Sequence, residues 1–319
     1  MGKKLWGKGA ERMLMSEDYW KQPLKWNRAA EAAKARRRVF CASLADVFEC
    51  RVDLVKPRQR LFTIIEATPW LDWMLLTKRP ENITKMIPST WKDEHAPPRN
   101  VWYGSTVENQ AMADKRIPEL LQVPATVRFL SCEPLLGPVN LTRWLPTEQA
   151  NWQCQKCHAF LNALKACHWC GASKEYLCGS HVANRRDPSN KFSGYTNRQP
   201  IDWVICGGES GGGARPMRPD WARSLRDQCQ VSHVSFHLKQ WGEWAEHDGK
   251  PVDTERLALF STRENGEEPI LLKDLEPDRR LNWAETHEPD DVLMERVGVK
   301  KAGRKLDGKF WDEHPVVPV

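Results

Sequence analysis

The sequence predicts an α/β protein whose main body is a parallel (βα) barrel, complete or partial. Three observations predict it. Six short apolar runs, at Arg38–Ser43, Asp72–Thr77, Asn100–Ser105, Val127–Ser131, Trp203–Gly208 and Val234–Leu238, have the length and composition of buried strands. The first four begin roughly 26–35 residues apart, as do the last two, which is the length of one strand–helix unit. Each run also ends in polar side chains, and parallel barrels carry their chemistry at the C-terminal ends of their strands. A doubly wound open sheet is the alternative, and it would gather ligands at one switch point rather than at every junction.

Taken in order, residues 1–35 form a mixed, basic N-terminal segment, helical near Ala29–Ala35. The first strand ends at Ser43 and is followed by Asp46; Leu61–Ala67 then reads as a helix. The second strand runs into Lys78, Arg79 and Pro80, the third into Glu108 and Asn109. Ile117, Leu120 and Leu121 mark the next helix, with Pro118 near a break in it. The fourth strand ends at Cys132-Glu133-Pro134. The fifth starts 76 residues after the fourth. That leaves an insertion of about 50–60 residues beyond an ordinary connection. The sixth strand ends at Lys239, Gln240 and Trp241. Residues 246–319 are a polar, turn-rich extension in which Val299–Arg304 and Leu306–Lys309 predict a basic hairpin about an Asp307-Gly308 turn, packed over the barrel edge. The domain plan is therefore a barrel from 36–140 and 201–245, interrupted by an insertion at 141–200.

Of the 319 residues, 40% are hydrophobic and 28% charged, which supports a packed core and excludes wholesale disorder. No run of eighteen apolar residues occurs, so no membrane span is expected. The N-terminus has charge but no apolar stretch, and Trp6 breaks the myristoylation pattern, so a cytoplasmic protein is expected. Ten cysteines then point to metal or buried thiols rather than disulfides. The net charge of +6, with clusters at Arg36–Arg38 and Lys300-Lys301, is compatible with nucleic-acid binding, although a solvated basic face explains it more simply. Among sixteen tryptophans, Trp73, Trp102, Trp203 and Trp221 occupy positions suited to the core.

Two stretches carry chemistry. The insertion holds Cys154, Cys157, Cys167 and Cys170, two Cys-x2-Cys pairs separated by nine residues. Each pair can give two thiolates to one tetrahedral ion, so a structural zinc is expected, with Cys178, His158, His168 and His181 as alternate ligands. A redox pair or an iron–sulfur cluster are the other readings. The second stretch follows the fifth strand, with Gly207, Gly208, Glu209, Ser210 and three further glycines leading to a helix at Pro219. Such a loop lets a ligand approach the main chain, or is a long flexible turn. The groups expected at the barrel mouth are Glu133 and Glu209 as acid, base or ligand carboxylates, with Lys78 and Lys239 opposite them. Gly207, Gly208, Ser210, Arg79 and Glu108 are expected to contact ligand.

Several motifs resemble one known family. They are Leu75–Asn82 (Leu-Leu-Thr-Lys-Arg-Pro-Glu-Asn), Ser105–Gln110, Arg128–Pro138, Gly207–Gly211, Ala214–Met217, Leu225–Cys229, Lys239–Trp244 and Gly303–Gly308. Together they resemble the phage and prophage three-cysteine-motif proteins, a family of unknown function related to radical-SAM barrels. The resemblance covers about residues 20–245 and 298–315. It implies a radical-SAM-like barrel using S-adenosylmethionine and a [4Fe–4S] cluster, acting on nucleic acid or a small molecule. Gly207-Gly208-Glu209 resembles the glycine-glycine-glutamate turn that binds the methionine amino group in such enzymes, here on a late strand. Family members open with a segment ending Gly-Cys-x-x-Cys-Tyr-Ala that holds the cluster. Here the first cysteine is Cys41, inside a strand, and Leu5–Gly9 resembles the stretch just after that motif. The chain is therefore expected to start late in the family pattern and to lack its own cluster. A non-catalytic, zinc-containing module that binds nucleic acid or protein is the competing function.

Overall fold

The computed structural model describes residues 10–42, 45–93, 96–146, 201–250, 252–261, 268–275, 288 and 290–315, with the backbone of 152–154, 160–161 and 177–178. Two helices come first, α1 (Glu17–Trp20) and α2 (Gln22–Ala32). Strands β1 (Arg37–Cys41), β2 (Leu71–Thr77), β3 (Val101–Thr106) and β4 (Val127–Cys132) follow. The insertion contributes β5 (Trp152–Cys154), β6 (Phe160–Leu161) and β7 (Leu177–Cys178), and the main sheet resumes with β8 (Trp203–Gly207) and β9 (Ser235–Gln240). The main sheet has the order β1-β2-β3-β4-β8-β9, parallel throughout. Within this sheet every strand lies beside the one before it, and the described connecting helices pack on one face. The sheet curls away from them into a half-barrel. Its curvature brings the Arg38 guanidinium on β1 to 6.0 Å from the ring centre of Trp203 on β8, four strands away.

The crossover helices are α3 (Val55–Glu66), α4 (Ile83–Met86), α5 (Gln110–Leu120) and α6 (Pro219–Val231). α6 begins with Pro219, whose fixed φ suits a first turn, and buries Trp221, Ala222, Leu225 and Cys229 as one stripe. α5 is capped by Asn109, whose side chain accepts from the Met112 amide. Pro118 lies within its last turn, and the helix ends two residues later at Leu120. Phe62, Ile65, Ile117, Leu120, Trp221 and Leu225 pack against the outward sheet residues Trp73, Leu75, Tyr103, Leu130, Val204 and Phe236. Burial of this apolar surface is the main stabilising term of the fold.

The C-terminal extension, expected to be turn-rich, holds a sheet of its own. Strands β10 (Trp244–Glu246), β11 (Leu257–Phe260), β12 (Ile270–Leu271) and β13 (Val292–Arg296) form an antiparallel sheet in the order β10-β13-β11-β12. Phe260 meets Trp221 edge-on at 5.3 Å, which seats this sheet on α6. The Asp307-Gly308 turn is present between β14 (Lys305–Leu306) and β15 (Lys309–Phe310). Both turn residues have positive φ, +53° and +76°, as a type I′ hairpin requires. Val299–Ala302, expected to belong to the hairpin, is instead a single helical turn. The tail then runs along β9: the Leu238 amide donates to Trp311 O at 3.0 Å, and the Phe236 amide to Glu313 Oε2 at 2.9 Å. The strand edge is thereby covered.

In the insertion, β5 pairs antiparallel with both β6 and β7. Cys154 ends β5, where its backbone faces Leu177. Cys157, Cys167, Cys170 and, near the barrel, Ser43 lie outside the described residues. Among the described residues, no helix is long and apolar enough to cross a membrane.

Candidate functional site

The concave face of the half-barrel is built in levels. Alternate strand residues share one face. Leu76, Gly104, Phe129 and Trp203 therefore stand side by side across four strands. A Cβ on Gly104 would fall 2.3 Å from the Phe129 ring, so the bare position is what lets that ring lie across the floor. One level nearer the strands' C-terminal ends come Thr106, Ser131, Ile205 and His237. The bowl thus grades from aromatic to hydroxyl-bearing, and charged groups follow at its mouth.

Two carboxylates, each paired with a lysine, occupy that mouth. Lys78 Nζ lies 2.6 Å from Glu108 Oε1, and Arg116 from α5 holds Glu108 Oε2 at 2.6 Å. Lys239 Nζ lies 3.0 Å from Glu133 Oε2, and Gln240 Nε2 donates to Glu133 Oε1 at 3.0 Å. Gly207 lies flush against the Glu133 carboxyl, since a Cβ there would come within 3.0 Å of Cδ. The loop after β4 ties the two pairs together, because Leu136 N donates to Glu108 O and Leu135 N to Gly207 O. The lysine side chains are each 57% exposed, against 11% for Glu108 and 16% for Glu133, while Arg116 is largely buried beside Glu108. Ammonium groups therefore face solvent over carboxylates seated beneath them. Burial pushes the Glu108 carboxyl up, but the Lys78 hydrogen bond and the charges of Arg116 and Lys78 outweigh it and leave the group below its usual value.

The remaining expected residues sit at the same end but engage other partners. Glu209 accepts from Arg215 Nε at 2.9 Å, Arg215 NH2 at 3.0 Å and the Arg215 amide at 2.9 Å, and those bonds hold its carboxyl below the usual range. Arg79 turns toward the loop after β1, 2.7 Å from Asp46 Oδ2, while Asp46 Oδ1 accepts from the Thr77 hydroxyl. Ser210 is exposed on the glycine loop. Gly208 serves backbone packing: a Cβ there would lie 1.9 Å from Trp241 O, and its amide donates to Gln240 O at 2.9 Å. Gly211 donates to Glu243 Oε1. The loop therefore does not present these amides bare. Arg116 and Arg215, which hold Glu108 and Glu209, are missing from the sequence reading. In the sequence they are ordinary helix and loop arginines; the fold largely buries Arg116 beside Glu108 and leaves Arg215 exposed over Glu209.

Among the described residues, no group of three or more His, Cys, Asp or Glu is placed to hold a metal ion. Cys41, Cys50, Cys132, Cys206 and Cys229 are free, and burial raises the Cys132, Cys206 and Cys229 thiols. These residues do not fit an iron–sulfur cluster. Gly207-Gly208-Glu209, with the Gly208 amide and the Glu209 carboxylate both engaged, does not fit a free amino-binding turn. Comparison with curated proteins and with solved structures gives no match. A family model described as "Protein of unknown function (DUF5131)" matches residues 2–315, nearly the whole chain, and the protein belongs to that family.

Proposed function

We propose that the protein is a radical-SAM-like half-barrel protein of phage or prophage type, acting on a small molecule or a segment of nucleic acid bound over the mouth. The observation that carries this reading is the pair of charge contacts, Lys78–Glu108 and Lys239–Glu133, contributed by four of the six strands at one end of the sheet. An anionic group on the ligand would compete for the exposed ammonium groups and free the carboxylates beneath. Glu133, held by a lysine and an amide, is the group suited to move a proton on a bound ligand. Glu108, fixed by two cations, stays ionised and suits a cationic or donor group of the ligand. S-adenosylmethionine and a [4Fe–4S] cluster rest on the motif resemblance alone. Zinc on Cys154, Cys157, Cys167 and Cys170 rests on their spacing.

Titration of the full chain with S-adenosylmethionine and with a single-stranded oligonucleotide tests the reading. One of the two should bind and should weaken by about tenfold or more, roughly 1.4 kcal/mol, in Glu133→Gln and in Lys239→Met. Glu209→Gln, whose carboxylate is tied to Arg215, should bind as the parent does. Binding of neither probe, or binding indifferent to both mouth variants, would overturn it.

A further inference from the structure

Below the mouth, the concave face carries donors that meet no acceptor. Arg38 projects from β1 across the bowl to the Trp203 ring. Its nearest carboxylate, Asp72, is already held by Arg36 at 2.5 Å and 2.9 Å. Arg38 itself makes no hydrogen bond or ion pair among the described residues. The indole N–H groups of Trp102 and Trp203 are buried and likewise unpaired. These side chains are only 1% and 5% exposed, and their rings meet edge-on at 6.2 Å. A buried donor without a partner is costly, and native interiors seldom leave one.

Charges of both signs surround them, with cations in excess: Asp72, beside Arg38, is held by Arg36, and Asp312, 3.5 Å from His237 Nδ1, is paired with Arg304. His237 stands 6.1 Å from the Trp203 ring. Burial lowers its pKa to about 4, with Arg304, Arg38 and Lys239 acting in the same direction and Glu133 against them. Burial is the larger cause, and the excess of cations adds to it. A cation resting on an aromatic face explains the Arg38–Trp203 contact alone. It does not explain two orphan indole donors beside it. What suits a guanidinium and two N–H donors together is a group with several acceptor oxygens and a negative charge.

We propose that the waist of the bowl, between Arg38 and the indoles of Trp102 and Trp203, is an oxyanion site that takes the phosphate or carboxylate end of the ligand. This deepens the mouth reading by naming the charge class of what enters. It uses different residues, so the two can fail separately.

The test is calorimetric titration of the full chain with inorganic phosphate and, separately, with acetate, each against chloride at equal ionic strength. Binding of phosphate or of acetate is expected, and whichever binds names the oxyanion. Arg38→Met, a substitution at an exposed edge position that keeps the aliphatic stem, should weaken it at least tenfold. Indole 15N–1H spectra give a second readout. Two tryptophan side-chain resonances should move with the bound anion in the parent and stay still in Arg38→Met. No binding of either anion, or equal binding by Arg38→Met, would overturn the proposal and leave the Glu133 and Lys239 tests standing.

Discussion

Gly208 and Gly242 lie where the loops after β8 and β9 press backbone to backbone. A Cβ on Gly242 would fall 2.1 Å from Glu209 O, and its φ of +79° also favours glycine. Gly208→Ala should therefore cost about 2–3 kcal/mol, because two main chains must part to admit one methyl. Gly212, with nothing within 4 Å of its Cβ position, provides the contrast. Gly212→Ala should stay within about 0.5 kcal/mol. Chemical denaturation of both variants checks the pair, and equal effects would contradict the geometry. The glycine cluster was legible as a place of close backbone approach. The sequence could not say that the approaching group is the Trp241 carbonyl, because that contact joins two loops separated by the whole of α6. Glu108 adds a pH dependence. Its folded pKa lies below the unfolded one, so its contribution is complete above the unfolded value and is lost as pH falls through the folded value. Glu108→Gln should flatten the acid limb of the stability curve, measured as midpoint denaturant concentration against pH.

At the scale of elements, the strands of the half-barrel were readable because each is a short apolar run closed by polar groups. β2, Leu71–Thr77, lies within one residue of its expected start. The C-terminal sheet was not readable. β11 is four buried residues with no alternation, and β12 only two, so neither shows the period that marks a strand. The hairpin was visible through Asp307-Gly308, yet its anchoring was not. Asp307 holds Arg223 Nε at 3.0 Å and also pairs with Arg226, which fastens the turn to α6. Arg226 in turn lies 5.4 Å from the Trp311 ring, and Trp311 meets Phe236 of β9 edge-on. Asp307→Ala removes two ion contacts and places alanine at φ +53°, so a loss of about 1–2 kcal/mol is expected. Hydrogen exchange should show that loss first in the 303–313 tail and β9. Uniformly faster exchange across the sheet, with no excess in the tail, would show that the hairpin is not a separate fastening.

For the whole molecule, the decisive fact is that β4 and β8 are direct neighbours, with Phe129 facing Trp203 and Cys132 facing Cys206. The chain leaves the sheet after β4, passes through the insertion, and returns to the adjacent position. Both approaches to the insertion are anchored in the main core: Leu141, Trp144 and Leu145 on the outgoing side, Ile201 on the return. The Leu141 amide also donates to Gln228 of α6 at 2.6 Å, so this approach is fixed by the barrel's own helix. Sheet pairing is therefore expected not to depend on residues 147–200. Zinc, if the four cysteines hold it as their spacing indicates, contributes folding energy only to the segment it organises. Chelation of the purified protein should then speed hydrogen exchange within 147–200 and leave β1 to β4, β8 and β9 protected. Changing Cys154, Cys157, Cys167 and Cys170 together to Ser should abolish bound zinc, about one ion per chain by metal analysis, with the same exchange pattern. Replacement of 147–200 by a short glycine-serine linker should still give the cooperative unfolding of the half-barrel. Collapse of the sheet on chelation or on deletion would mean that the insertion is part of the barrel's own core, and the expected domain division at 141–200 would have to be abandoned.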